Sequence, residues 1–250
     1  MIEKKTVIIT GGNSGIGLSI TETFIKAGYF VIVGARRNTN LNKKFGKNIL
    51  FIKIDVSKES SHNLLIKKAK EKTGRLDVYI NNAGISAWKP ISKINKEFIN
   101  KIINTNLIGT LWGCKAATLM LKKGGSIINI SSIAGKRGTS NNSLYCASKF
   151  GVNGITQSLS KELGPKGIRV NSVCPVLIPT SGLISALKSK YSPSKKNPRT
   201  FIKNFAKQNA SLGRLPLANE VASTCLFLAS SESSAITGQN INVDCGVFPQ

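Results

Sequence analysis

Thr6-Val7-Ile8-Ile9-Thr10-Gly11-Gly12-Asn13-Ser14-Gly15-Ile16-Gly17 decides the fold. The first five residues are a short apolar run rich in β-branched side chains, which reads as a buried strand. Glycines stop the run. A helical stretch from Gly15 to Ala27 follows and ends at Gly28, a suitable C′ residue. Strand, glycine-rich turn and helix in that order open a βαβ unit. Such a turn lets backbone approach a pyrophosphate closely. The helix N-terminus then offers free N–H groups and positive dipole potential. A glycine-rich turn alone is a weak signal and also describes a plain tight turn; its position between strand and helix gives it weight.

Outward from this stretch the alternation continues. Further strands are expected at 30–33, 49–52, 76–80, 126–130, 168–173 and 240–243. Helices are expected at 58–73, 95–121, 145–163 and 218–230. This pattern predicts an α/β fold, a Rossmann-type doubly wound parallel sheet of about seven strands with helices on both faces. No linker or internal repeat divides the chain, so residues 1–250 are expected to form one domain. One segment breaks the rhythm. Residues 181–212 are rich in Ser, Lys and Asn, carry Pro193 and Pro198, and are expected to form a substrate lid.

Composition limits the chemistry. Hydrophobic residues make up 41%, enough for a substantial core, and the apolar runs are too short for a membrane span. Residues 1–5 run straight into the first strand, so no signal peptide is expected. The five cysteines include no CxxC pair and are odd in number, which reads as reduced thiols in the cytoplasm. The single histidine, His62, lies in a lysine-rich stretch and is expected on a helix surface. A histidine triad or metal cluster is therefore ruled out, and no metal is expected. The net charge of +25 is scattered along the chain. Asn (23), Ile (30) and Lys (29) are all abundant, and all have A/T-rich codons, so mutational bias explains the charge better than nucleic-acid binding does.

Five segments in register extend the reading. They are the TGxxxGxG turn from Thr10 to Gly17, Asn81-Asn82-Ala83-Gly84 after the fourth strand, and Asn106 within the long helix. Ser131-Ser132 after the fifth strand and Tyr145-Cys146-Ala147-Ser148-Lys149 complete the set. Tyr145 and Lys149 are four apart and share a helix face. A nearby ammonium favours a phenolate, so Lys149 is expected to lower the Tyr145 pKa. Ser132 can donate to a substrate oxygen and steady developing negative charge. Singly, Tyr145 also reads as a half-buried helix residue, Ser132 as a cap, and Asn106 as an interior polar group. Jointly, at this spacing, they read as proton-transfer machinery.

From about residue 4 to residue 246, order and spacing resemble the classical short-chain dehydrogenase/reductase family. The resemblance implies an NADP(H)-dependent oxidoreductase that interconverts a ketone and a secondary alcohol, with Tyr145 as general acid and base. A 3-oxoacyl thioester is one implied substrate. The alternatives are a sugar, polyol or secondary-metabolite ketone, or a non-enzymatic NADP(H)-binding protein. The implied catalytic residues are Asn106, Ser132, Tyr145 and Lys149, with Asn106 holding a water that relays protons from Lys149. The implied cofactor residues are Gly11, Asn13, Ser14, Gly15, Ile16 and Gly17 in the turn, Arg36, and Asp55 and Val56 at the adenine. Asn82, Ala83, Gly84, Tyr145, Lys149, Pro175, Ile178 and Thr180 complete that set. NADP(H) is expected over NAD(H), because Ala35 stands where NAD-preferring relatives have an acid and Arg36 follows it. After the sixth strand the chain departs from the pattern: Val176 replaces the usual glycine, and Pro179 adds stiffness. Family members pair through the helices matching 95–121 and 145–163, which implies a homotetramer. Seven basic residues and no acid lie within 181–212, so a substrate with an anionic or carrier-linked group is a further expectation.

Overall fold

The computed structural model describes residues 4–195 and 197–249. In chain order the elements are β1 (Thr6–Thr10), α1 (Gly15–Lys26), β2 (Phe30–Ala35), α2 (Leu41–Phe45), β3 (Ile49–Lys53), α3 (Glu59–Thr73), β4 (Val78–Asn81) and α4 (Lys96–Ile103). There follow α5 (Gly109–Ala117), β5 (Ser126–Ile130), α6 (Ser143–Leu163), β6 (Arg169–Pro175), α7 (Ser181–Leu187), α8 (Pro198–Asn209), α9 (Ala218–Ala229) and β7 (Asn240–Val243). All seven strands join one parallel sheet in the order β3-β2-β1-β4-β5-β6-β7. Chain order reverses between β1 and β4. In open parallel sheets, the crevice outside the carboxyl ends at such a reversal is where ligands bind.

Alternate residues of β1 show how the faces are covered. Val7 and Ile9 pack on one face against Ile20 and Phe24 of α1 and Val221, Cys225 and Leu228 of α9. Ile8 packs on the other face, in a cluster with Leu65 and Ala69 of α3 and Cys114 and Ala117 of α5. Both faces are thus dry, and β1 and β5 are buried at every residue. Asp77 steadies the entry to β4: its carboxylate accepts from the Thr6 amide at 2.7 Å and pairs with Arg75 at 2.6 Å.

Two expectations need correction. His62 is fully buried, on the sheet-facing side of α3. Its Nε2 lies 2.9 Å from the Val56 carbonyl, and its Nδ1 lies 2.8 Å from the Tyr79 hydroxyl. A carbonyl only accepts, so Nε2 carries the hydrogen and Tyr79 donates to Nδ1. Burial holds the imidazole pKa below its usual value, which keeps the ring neutral. The lysines around His62 masked this face in the sequence. The helix expected over 95–121 is also not continuous. A π-helical segment at Asn104–Ile108 joins α4 to α5, and the helix ends at Ala117. Asn106 lies within that π-segment.

Candidate active site

The glycine-rich turn is built to be approached. Gly11 and Gly15 have φ of 66° and 53°, where a side chain is disfavoured. A Cβ at Gly17 would fall 2.2 Å from the Gly11 carbonyl oxygen, so α1 can start this close to the turn only on glycine. The turn is tied to β4 through Thr10, whose hydroxyl accepts from the amides of Asn82 (3.0 Å) and Ala83 (3.1 Å). The Asn82 side chain donates back to the carbonyls of Thr10 and Gly11 at 2.9 and 3.2 Å. Asn13 donates to the Arg37 carbonyl at 2.9 Å, linking the turn to the end of β2. Ser14 is the extended N-cap residue of α1, and Gly15 faces the Thr180 side chain across the opening.

Ser132, Tyr145 and Lys149 meet beyond the ends of β4 to β6. Tyr145 and Ser132 line the same cleft. The Ser132 hydroxyl accepts from the Ala134 amide at 3.1 Å and points toward the Pro175 carbonyl at 3.4 Å. Lys149 is buried and donates to the Ile130 carbonyl at 2.8 Å. Its ammonium lies 5.9 Å from the centre of the Tyr145 ring. Burial pushes the Tyr145 phenol up to about 12, although the Ser132 hydroxyl acts the other way, and brings the Lys149 amine down to about 8. The expected lowering of Tyr145 by Lys149 is thus absent here. Burial of the hydroxyl dominates, and the Lys149 ammonium is engaged by the Ile130 carbonyl.

Asn106 is fully buried. Its side chain accepts from the Ile85 amide at 2.8 Å and donates to the Ile85 carbonyl at 2.9 Å and to Ser148 at 3.2 Å. A π-bulge places it there, and its firm contacts fix the 84–86 loop. A Cβ at Gly84 would lie 3.5 Å from Asn106 Oδ1 and 3.7 Å from Lys149 Nζ, so both groups flank this glycine.

One cleft of about 670 Å³ runs past these groups. Ile16, Arg36, Arg37, Asn82 and Gly84 line one stretch of it; Ser132, Tyr145, Lys149, Pro175, Ile178 and Thr180 line another. Among the described residues, no Asp or Glu lines it. Asp55 and Val56 are not among its lining residues. Asp55 instead accepts from the amide and hydroxyl of Ser57 at 3.0 and 2.8 Å; against the effect of burial, these bonds, with smaller contributions from the Lys58 and Arg36 charges, hold its carboxyl below the usual range. Beyond Pro175, the Thr180 amide donates to the Ile178 carbonyl at 2.6 Å, a tight turn around Pro179.

The 181–212 segment meets the cleft through Gly182, Leu183, Pro193, Phe201 and Phe205. None of its described basic residues lines the cleft: Lys188, Lys190, Lys195, Arg199, Lys203 and Lys207 are exposed. Lys196 lies outside the described residues. These side chains therefore make no contact with the cleft and lie on the outer surface of the segment. Residues 198–209 form an amphipathic helix whose apolar side turns inward, and lysines occupy the outer side. Sequence reasoning also missed Arg37, Ile85, Trp88, Arg137 and Asn142 in the cleft wall. Their signal is proximity in chain to the motifs, which does not say which side chains turn inward.

Comparison with known proteins agrees with this geometry. A family model described as enoyl-(acyl carrier protein) reductase matches residues 11–248. The 3-oxoacyl-[acyl-carrier-protein] reductase FabG of Chlamydia trachomatis is 35% identical over 257 residues, covering 99% of this chain and 98% of that protein. An (S)-acetoin-forming diacetyl reductase of Staphylococcus epidermidis is 36% identical, covering 97% of this chain and 98% of the relative. Among solved structures, the ligand-free aldohexose dehydrogenase of Thermoplasma acidophilum superposes with a TM-score of 0.89 at 30% identity, covering 99% and 98% of the two chains. An actinorhodin polyketide ketoreductase with NADPH gives the same TM-score at 29% identity, covering 98% of this chain and 97% of that one. With these relatives spanning its whole length, the chain belongs to the short-chain dehydrogenase/reductase family and is an oxidoreductase acting on CH–OH and keto groups.

Proposed function

We propose that this enzyme is an NADP(H)-dependent reductase of 3-oxoacyl thioesters, with Tyr145 as the proton donor. The observation that carries the reaction class is that Ser132, Tyr145 and Lys149 line one cleft, with Lys149 one helical turn from Tyr145. The residues fit a nicotinamide dinucleotide. Glycines 11, 15 and 17 leave room for a pyrophosphate before α1, and one cleft connects Arg36 with Tyr145. Bound there, the nicotinamide would exchange a hydride with the substrate carbon.

The chain's own residues do the rest. Gly11, Asn13, Ser14, Gly15, Ile16 and Gly17 would hold the pyrophosphate, and Asn82, Ala83 and Gly84 the adjoining ribose. Asp55 and Val56 would face the adenine, while Pro175, Ile178 and Thr180 would orient the nicotinamide. Ser132 and Tyr145 would both donate to the carbonyl oxygen. The phenol then gives up its proton as negative charge develops there. Lys149 would hold ribose hydroxyls and stabilise the phenolate, and Asn106 would hold a water on its proton path.

Arg36 and Arg37 at one end of the cleft, with no acid at Ala35, support NADP(H). Leu183, Phe201, Phe205 and Trp88 make an apolar substrate wall suited to an acyl chain, and the FabG relative favours a thioester. Residues 181–212 would act as the lid of a single domain, in a cytoplasmic homotetramer. Reduction of acetoacetyl thioesters with NADPH and with NADH, followed at the nicotinamide absorbance, tests the reading. No turnover, or equal use of both cofactors, would overturn it.

A further inference from the structure

Arg137 stands out among the charged groups of the cleft. Four cationic side chains line it: Arg36, Arg37, Lys149 and Arg137. The first two belong to the β2 end, and Lys149 is committed to the Ile130 carbonyl. Arg137 follows the short turn after Ser132 and shares the cleft with Trp88 and Phe205. Its backbone is fixed close to the reacting groups. The Arg137 amide donates to the Ile133 carbonyl at 3.1 Å, and its carbonyl lies 4.0 Å from the sulfur of Cys146, the neighbour of Tyr145.

The guanidinium is held but not neutralised. Its Cζ lies 5.2 Å from the centre of the Phe248 ring. The turn carrying Phe248 is ordered by Asp244, which accepts from the amides of Gly246 (3.0 Å) and Phe248 (2.8 Å). Stacking engages the face of a guanidinium and leaves its N–H edge free to bond. Among the described residues no carboxylate pairs with Arg137, and its Nε is buried without a hydrogen-bond partner. A buried donor of this kind is costly unless something completes it.

A second group points the same way. Asn142, one residue before α6, is 5% exposed and lines the same cleft. Its amide nitrogen reaches the Thr139 hydroxyl at 3.2 Å, while its Oδ1 is buried without a partner. Turning the amide by 180° keeps a bond to Thr139 and presents the NH₂ group instead, so Asn142 can present either polarity. Thus two unfulfilled polar groups line the cleft that Tyr145 also lines. The rest of the substrate wall is largely apolar.

We infer that Arg137 and Asn142 form a subsite that grips an anionic oxygen group on the ketone substrate. This rests on the reading that the cleft reduces a ketone. The guanidinium edge binds two oxygens of a carboxylate or a phosphate, and the absence of Asp and Glu from the lining removes competition for it. The same chemistry comes from two sources: a carboxylate on the ketone itself, or the phosphates of a carrier arm. The subsite is a specificity device, and the proton donor is unaffected by its nature.

The test compares three probes with NADPH: acetoacetate, acetoacetyl-CoA, and the neutral N-acetylcysteamine thioester of acetoacetate. In the wild type, kcat/KM should favour an anionic probe over the neutral one. Arg137→Gln should shrink that ratio about tenfold, through KM, with Arg137→Lys in between. Preference for acetoacetate identifies a carboxylate site; preference for acetoacetyl-CoA alone identifies a phosphate site. An equal fall on all probes, or a wild type without anion preference, overturns the subsite.

Binding gives a readout independent of turnover. The chain has two tryptophans, so in a Trp112→Phe background Trp88 in the cleft reports occupancy by fluorescence. Acetoacetate or CoA should bind about tenfold more weakly after Arg137→Gln. Unchanged binding overturns the subsite. Arg137-dependent binding without turnover of any probe would uphold it and overturn the ketone-reductase reading instead.

Discussion

The Lys149 ammonium donates a 2.8 Å hydrogen bond to the carbonyl of Ile130, the last residue of β5. This bond locks the face of α6 that carries Tyr145 and Lys149 to the sheet. It also explains why a buried amine is tolerated here: one of its three donors is satisfied by backbone, and the cleft lies beside it. Burial nevertheless brings its pKa from 10.5 down to about 8. Between those values the unfolded chain binds more protons than the folded one, so folding stability rises with pH across this window. Below about pH 8 the full cost of burying the charge is present. Lys149→Met carries no such cost. Urea melts of both proteins at pH 7 and pH 10 should show the wild type gaining stability relative to the variant as pH rises. A constant difference would mean that Lys149 is not buried as a titrating amine.

Tyr145→Phe should lower turnover by about 100-fold or more, because no other acid stands beside Ser132. Phenylalanine keeps the ring, so NADPH binding should survive. With the phenol pushed up to about 12, it is protonated through the neutral range. Ketone reduction therefore has its acid in place at pH 7. Alcohol oxidation needs the phenolate, so its kcat/KM should rise by up to about tenfold per pH unit on the acid side of the pKa. A pH profile of both directions checks this. Oxidation that is flat between pH 7 and 9 would indicate a phenol already ionised.

How far the sequence was legible follows from which interactions are local. Strand positions were readable because β1 and β5, buried at every residue, carry short runs of β-branched apolar residues, as strands covered on both faces do. Tyr145 and Lys149 were readable because one helical turn fixes their separation. Arg137 was not, since its role depends on the aromatic ring of Phe248, which the fold brings from the far end of the chain. The placement of the lysines in residues 181–212 was not legible for the complementary reason. Composition counts charges but does not say which side of a helix faces the cleft, and the inward residues are Phe201 and Phe205. The break at Asn104–Ile108 had no signature in helix propensity.

Arg36→Asp should reverse the cofactor preference. A charge-assisted, two-pronged bond to a 2′-phosphate contributes about 1.5 to 3 kcal/mol, or about ten- to a hundredfold in affinity. Arg37 also lines the cleft, so the single change could be partly covered, and Arg36→Asp with Arg37→Ala should lose more. Dissociation constants for NADPH and NADH, by quenching of protein fluorescence, provide the measure. If the double variant keeps its preference for NADPH, some other group reads the phosphate.

His62→Leu should destabilise the protein while leaving the proton donor untouched. The imidazole joins the Val56 carbonyl at 2.9 Å to the Tyr79 hydroxyl at 2.8 Å, and all of this lies between α3 and the sheet. Leucine fills much of the volume but abandons both polar groups. Each orphaned group costs about 1 to 3 kcal/mol when buried. A loss of about 2 to 4 kcal/mol lowers the melting temperature by roughly 5 to 15 °C in a chain of this size. Tyr79→Phe removes the orphaned hydroxyl, so His62→Leu with Tyr79→Phe should be less destabilised than the two single effects added together. That coupling separates the hydrogen-bond account from simple misfit of a leucine. Additive losses in a thermal-melt cycle would show that the pair contributes by packing alone.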